Sequence, residues 1–220
     1  MKKIGLIIAM QKELEFYANF LNDFTTHERN NRKFYQGKYS QHELIITVSG
    51  IGKVNSALCC SDLINIFNPD IIINIGISGG LNSSLNIGDF VIGEEIVYHD
   101  VWCGEPNKYG QIQDCPAIYH SHKIISQLPY RKGLICCGDK FITKSQELNN
   151  IIECFPSALA VDMESAAIAQ TCHIYNKPFM SIRQISDVPG TQYQQEQYTN
   201  FWNNAPQNSV NVIKDILDRI

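Results

Sequence analysis

The sequence predicts an α/β fold built as a single domain. A mixed, mostly parallel central sheet carries helices on both faces. Three observations predict it. Short apolar, β-branched runs recur along the chain, as at residues 3–9 (KIGLIIA) and 70–76 (DIIINIG). Segments with helical spacing lie between them, and that interleaving is the pattern of buried parallel strands covered by helices. The length of 220 residues suits one large domain with a sizeable core. No repeat, low-complexity tract or linker divides it, so residues 1–220 are read as one unit.

Residues 3–9 read as a buried strand, short and bounded by polar residues. Residues 11–21 have helical spacing, with Leu14, Ala18 and Leu21 on one face. Residues 33–40 (KFYQGKYS) and 42–49 (HELIITVS) read as a hairpin pair. The break SGIG at 49–52 leads into a helix from 53 to about 67, ended by Asn68-Pro69. The strand at 70–76 opens into a glycine loop, ISGGL, and residues 88–99 form a longer strand. Residues 100–116 are the least regular part, holding Trp102 and two cysteines. A short helix near 122–128, a strand at 133–138 and a helix at 145–154 follow. A strand at 157–161 then runs into VDMES and a helix at 163–175. A strand at 179–186 and a final helix end the chain.

Hydrophobic residues make up 44% and charged residues 18% of the chain, and the net charge is −4. That composition describes a soluble globular protein without a basic footprint for nucleic acid or a polybasic face for membranes. Lys2 and Lys3 precede an apolar run, but the run is short, meets Gln11, Lys12 and Glu13 at once, and has no cleavage site. A signal peptide is therefore not expected, no stretch nears 18 apolar residues, and the expected location is the cytoplasm. Eight cysteines occur without a CxxC pair, which removes the zinc-ribbon and thioredoxin readings and leaves them as small buried hydrophobes. His120 and His122 share a strand face but lack a third ligand, so no metal is expected there.

Ligands of open α/β sheets bind beyond the carboxyl ends of the strands. In this chain those ends carry acids: Glu13, Asp139, Asp162, Glu164 and Asp187, with Arg183 on the last strand. The glycine turns there are not phosphate loops. SGIGKVNS has Val54 where a P-loop needs Ser or Thr and Asn55 where GxGxxG needs its third glycine. An acid-rich site suits sugar hydroxyls and N–H groups, and carboxylates also stabilise the oxocarbenium character of glycosidic cleavage. Asp162 and Glu164 have two readings at this point. They hold a ribose, or they cap the following helix and favour its positive end.

Seven stretches, in order from residue 4 to residue 188, together resemble one family: IGLIIAMQKE, SGIGKVNSAL, DIIINIGISGGL, GDFVIGEEIVYHD, GLICCGDKFI, AVDMESAAIA and RQISDV. It is the methylthioadenosine/S-adenosylhomocysteine nucleosidases, of the nucleoside phosphorylase and hydrolase superfamily. The resemblance implies hydrolysis of the N-glycosidic bond of both nucleosides, releasing adenine and the 5′-thioribose in methionine salvage and the activated methyl cycle. It implies Glu13 as the acid that activates water, Asp187 as the acid at purine N7, and Arg183 beside Glu13 and the water. It implies Glu164 and Met163 at the ribose, Phe141 stacked on the base and the Ile142 backbone at its edge. Met10, Ile51 and Tyr198 line the sugar and 5′ side, and Ser78, Gly79 and Ser186 complete the implied substrate set. The resemblance implies no metal or organic cofactor. It implies a homodimer in which residues 101–106 reach the partner's pocket.

The chain departs from the family pattern at three places. Ile77 and Ser78 stand where the family shows a serine then an alanine, so a hydroxyl near the water or phosphate position is missing or moved by one residue. Asp162 replaces a glutamate. The segment DVWCGEPNKYGQ differs most, which bears on the 5′ group. Alternatives on the same scaffold are a phosphorylase, with Lys53 and Arg183 as phosphate ligands, a hydrolase of another adenine nucleoside such as an aminodeoxyfutalosine, and a non-catalytic nucleoside-binding protein.

Overall fold

The computed structural model describes residues 1–17, 21–123, 128–204 and 206–220. The chain begins with β1 (Lys3–Ile8), α1 (Gln11–Tyr17), β2 (Asn22–Arg29), β3 (Arg32–Tyr39) and β4 (His42–Val48). It continues with α2 (Lys53–Phe67), β5 (Ile71–Gly80), β6 (Phe90–Tyr98), β7 (Tyr119–His120) and β8 (Arg131–Cys137). It ends with α3 (Ser145–Cys154), β9 (Ala158–Asp162), α4 (Ser165–Ile174), β10 (Phe179–Asp187), α5 (Gln194–Asn204) and α6 (Pro206–Arg219).

The heart of the sheet is parallel, with β1 between β4 and β5 and β10 beside β5. Antiparallel pairings add β2 and β3 at one side and join β10 to β6. Strand β5 has three neighbours. It pairs β1 and β10 along its length, and its last residues, Gly79 and Gly80, pair Val161 and Ala160 of β9. Because β6 pairs β8 and β8 pairs β9, strands β5, β10, β6, β8 and β9 form a closed circuit. The carboxyl ends of β5, β9 and β10 are thereby drawn to one place.

Alternation along β1 explains the two cores. Ile4, Leu6 and Ile8 face a cluster with Leu14 and Tyr17 of α1 and Ile213, Ile216 and Leu217 of α6. Ile7 faces the opposite side, where Cys59, Cys60 and Leu63 of α2 meet Ile168 and Cys172 of α4. Gly5 shows how closely α2 approaches, since a Cβ there would lie 2.7 Å from Leu63 Cδ2. Helix α2 stops because Asn68 turns left-handed, at φ 47°, and donates its N–H to Ile64 O ahead of Pro69.

Four expectations change in detail. The glycine segment 77–80 is not a loop but the end of β5, because it pairs with both β9 and β10. Strand β2 went unforeseen, since NDFTTHER is polar and its pattern follows from pairing with β3 at the margin of the sheet. Helix α4 begins at Ser165 rather than residue 163, and the final helix is two helices, α5 and α6. The expected helices at 11–21 and 122–128 run through residues 18–20 and 124–127, which lie outside the described residues; α1 is described to Tyr17.

Candidate active site

The closed circuit of strands ends in a cleft. All thirteen side chains singled out in the sequence as catalytic or substrate-binding line it, from Met10 and Glu13 to Asp187 and Tyr198. Asn74, Lys140, Asp162, Pro189 and Gln194 line it as well.

Glu13 lies in the first turn of α1 and folds back on its own N-terminus. Its Oε2 accepts the N–H groups of Ala9, at 3.0 Å, and Met10, at 2.9 Å. Its Oε1 is buried and has no hydrogen-bond partner among the described residues. A Cβ at Gly76 would sit 3.1 Å from that oxygen and 3.7 Å from Arg183 Nη1, so the absence of a side chain there is what lets carboxylate and guanidinium approach. Burial raises the Glu13 pKa, opposed by the Met10 N–H and the Arg183 charge.

Arg183 is buried in β10 and each of its three side-chain nitrogens donates within the protein. Nε donates to Asp162 Oδ2 at 2.6 Å, Nη1 to Ile182 O at 2.9 Å, and Nη2 to Asn74 Oδ1. Asp162, the last residue of β9, is committed in turn. Its Oδ1 accepts the Ser165 hydroxyl at 2.9 Å and the amides of Ser165 and Glu164 at 3.2 and 3.3 Å. Both oxygens of Asp162 are therefore engaged within the protein, one on the turn into α4 and the other on Arg183. Glu164 is different. Its Oε1 accepts the Gly52 N–H at 2.9 Å, and burial, followed by the Asp162 charge, raises its pKa to about 7.

The SGIG turn has its own use. Helix α2 has no side-chain cap of its own. Its first amides are taken across space instead, Gly52 N by Glu164 and Lys53 N by Asp139 Oδ1 at 2.7 Å. The Lys53 ammonium lies 2.7 Å from Asp100 Oδ2 and 3.8 Å from Asp139 Oδ2. Both cations named as possible phosphate ligands are thus already paired with acids.

Asp187 is positioned by a β-bulge. Ile185 pairs Ser78 and Asp187 pairs Gly79, which leaves Ser186 as the extra residue. Ser186 and Asp187 consequently both line the cleft. Ser186 Oγ lies 2.5 Å from Asp187 Oδ1, and Gln194 Nε2 donates to Asp187 Oδ2 at 2.8 Å. Burial raises the Asp187 pKa, and these two donors pull it back.

The mouth is aromatic. Phe141, 45% exposed, meets Tyr198 edge-on at 5.8 Å, and Tyr198 meets Trp202 edge-on at 6.1 Å. Tyr198 Oη approaches Met10 Sδ at 3.9 Å. Ser78 Oγ is buried and without a partner among the described residues, while Ile77 lines the same cleft. A hydroxyl is therefore present one residue beyond the position occupied in the family pattern.

Sequence reasoning missed Asn74 and Gln194. Asn74 had a signal, a lone amide in the apolar run DIIINIG. Gln194 had none, being one of four glutamines between residues 192 and 197.

Known proteins resemble the chain in sequence and in fold. A family model described as "Phosphorylase superfamily" matches residues 3–218. A 5′-methylthioadenosine/S-adenosylhomocysteine nucleosidase of Staphylococcus aureus is 41% identical over 196 residues, 84% of this chain and 86% of the relative. An S-adenosylhomocysteine nucleosidase of Streptococcus pyogenes, solved with 5-methylthiotubericidin, superposes with a TM-score of 0.93 at 34% identity, covering 100% of this chain and 97% of that one. The corresponding nucleosidase of Neisseria meningitidis, solved with methylthio-immucillin-A, has a TM-score of 0.93 at 31% identity, with 100% of both chains covered. The chain belongs to the phosphorylase superfamily and, within it, to the 5′-methylthioadenosine/S-adenosylhomocysteine nucleosidases.

Proposed function

We infer that this member of the nucleosidase family hydrolyses the N-glycosidic bond of 5′-methylthioadenosine and S-adenosylhomocysteine, releasing adenine and the 5′-thioribose. The observation that carries the use of water, rather than phosphate, is the commitment of both candidate cations. Arg183 is held by Asp162 and Asn74, and Lys53 by Asp100. An incoming phosphate would meet Glu13, Glu164 and Asp187 in a cleft whose arginine is already neutralised.

In this reading Asp187 carries a proton, which its raised pKa favours, and gives it or a hydrogen bond to purine N7. Electron withdrawal lengthens the glycosidic bond toward an oxocarbenium ion. Glu164, fixed by the Gly52 N–H, accepts from the ribose hydroxyls. Glu13 holds one oxygen on two backbone amides and keeps the other for a water proton. The charge of Arg183 opposes the rise that burial imposes on the Glu13 pKa. Phe141 stacks on the base, with Met163, Met10, Ile51 and Tyr198 around the sugar and 5′ group. The test is chromatography of the products from both nucleosides. Adenine in equal amount with a 5-thioribose is expected.

We further propose a homodimer formed through the start of α2 and the segment 101–106. Ile51, Val54, Leu58 and Trp102 are 51%, 70%, 54% and 64% exposed, a concentration of apolar surface that suits a partner. The Lys53–Asp100 pair brings the two segments together. Sedimentation at micromolar concentration should give about twice the 24.9 kDa chain mass. The cytoplasm is the proposed location, in keeping with eight free cysteines. Among the described residues, no helix is long and apolar enough to cross a membrane.

A further inference from the structure

The side chain of Gln194 occupies the floor of the cleft in an unusual way. It begins α5, is 4% exposed, and lines the cleft with Asp187 and Ile142. One nitrogen, Nε2, makes two bonds of equal length, 2.8 Å to the Ile142 carbonyl and 2.8 Å to Asp187 Oδ2. The amide oxygen is anchored elsewhere, accepting the Gly190 N–H at 3.0 Å. A planar nitrogen with two hydrogens thus bridges a backbone carbonyl and the carboxylate assigned to the leaving base.

The exocyclic amine of adenine is the same chemical group, a planar nitrogen carrying two hydrogens. It neighbours N7 on one edge of the purine, so a carboxylate that reaches N7 with one oxygen has the other beside the amine. Two buried acceptors are costly to leave unpaired, and either donor satisfies them.

We propose that Gln194 is an internal stand-in for the 6-amino group of the base, and that a 6-aminopurine binds by displacing it. The inference rests on the adenine nucleoside reading above. Entry of adenine exchanges two N–H···O bonds for two. Entry of a 6-oxopurine loses two and sets a carbonyl against a carbonyl and a carboxylate. Departure of the base lets Gln194 return, so it competes with the product as well as the substrate.

A competitor that acts only in the ligand-free state weakens every base by the same factor, the fraction of molecules in which it stands aside. The signature is therefore a change in affinity without a change in selectivity. The measurement is the dissociation constant of adenine and of hypoxanthine, by calorimetry, for the wild type, Gln194→Ala and Gln194→Met. The methionine variant keeps the volume and removes the N–H groups, so that one of the two serves if the other fails to fold. Both variants are expected to bind adenine about tenfold tighter, with the preference for adenine over hypoxanthine kept. Unchanged or weaker binding of adenine by the variants overturns the proposal and makes Gln194 a support for Asp187. Wild-type protein that hydrolyses methylthioadenosine and binds adenine while the variants bind no tighter fails this inference alone. Wild-type protein that binds no adenine fails the adenine reading and the stand-in together.

Discussion

Arg183 Nε and Asp162 Oδ2 meet at 2.6 Å with both side chains buried, and this pair sets Asp162 apart from the other acids of the cleft. Asp162 neutralises the buried Arg183 and holds the turn into α4. Glu13, Glu164 and Asp187 are left as carboxyls whose pKa burial raises.

Breaking that pair strands a buried charge. Asp162→Ala should destabilise the protein by about 3–5 kcal/mol, the range for removing one partner of a buried ion pair. Thermal and urea unfolding monitored by circular dichroism check it. A loss below about 1 kcal/mol would mean that water reaches Arg183 and that the pair is not the organising contact.

Glu13→Gln and Asp187→Asn should each lower kcat by about 10²–10⁴ with the melting temperature kept or raised. Their pH profiles should differ. With Glu13 as the proposed base, the rate rises with pH through its raised pKa, and Glu13→Gln should flatten that ascending limb. With Asp187 as the proposed acid, the rate falls as pH rises through its pKa, and Asp187→Asn should flatten the descending limb. Flattening of the opposite limbs would reverse the assignment.

Glu164 makes stability depend on pH. Its pKa rises from 4.5 in the unfolded chain to about 7 in the ligand-free fold. Below the lower value both states are protonated. Between the two the unfolded chain ionises first, so stability falls as pH rises and levels off above the folded value. Glu164→Gln should therefore be more stable to unfolding than wild type at pH 8, by an amount on the order of a few kcal/mol, with a shallower decline between pH 5 and 7. Glu13 and Asp187 keep part of that decline, having shifts of the same sign. A variant less stable than wild type at pH 8 would show that ionised Glu164 is not strained.

Gly76→Ala tests the approach of Glu13 to Arg183. The added methyl would lie 3.1 Å from Glu13 Oε1, so the carboxylate must shift by a few tenths of an ångström. Displacement of a catalytic group on that scale should cost roughly tenfold or more in kcat, with a smaller change in KM. Steady-state kinetics on methylthioadenosine separate the two constants.

Much of the fold was legible because buried strands announce themselves. KIGLII and DIIINIG are apolar on both faces, and helix 145–154 matches its expected bounds. The polar β2 was not legible, since its place comes from pairing and not from burial. At the site, position along the chain singled out Glu13, Glu164 and Asp187, at or shortly past the ends of β1, β9 and β10, and all three line the cleft. What was hidden was which acid was spoken for. Nothing in VDMES says that Asp162 turns to Arg183, 21 residues away. The bulge at Ser186 and the bridge from Gln194 likewise arise from register and from a loop, and neither leaves a pattern in composition.

The most direct test of the central claim is the fate of the ribose carbon as phosphate is varied. Methylthioadenosine would be turned over from zero to high phosphate, with adenine followed by chromatography and sugar phosphate by phosphorus NMR. The account predicts an adenine rate independent of phosphate and a free 5-methylthioribose. Adenine release that requires phosphate, with accumulation of the 1-phosphate, would contradict it, and would mean that Lys53 or Arg183 gives up its acid to hold the anion.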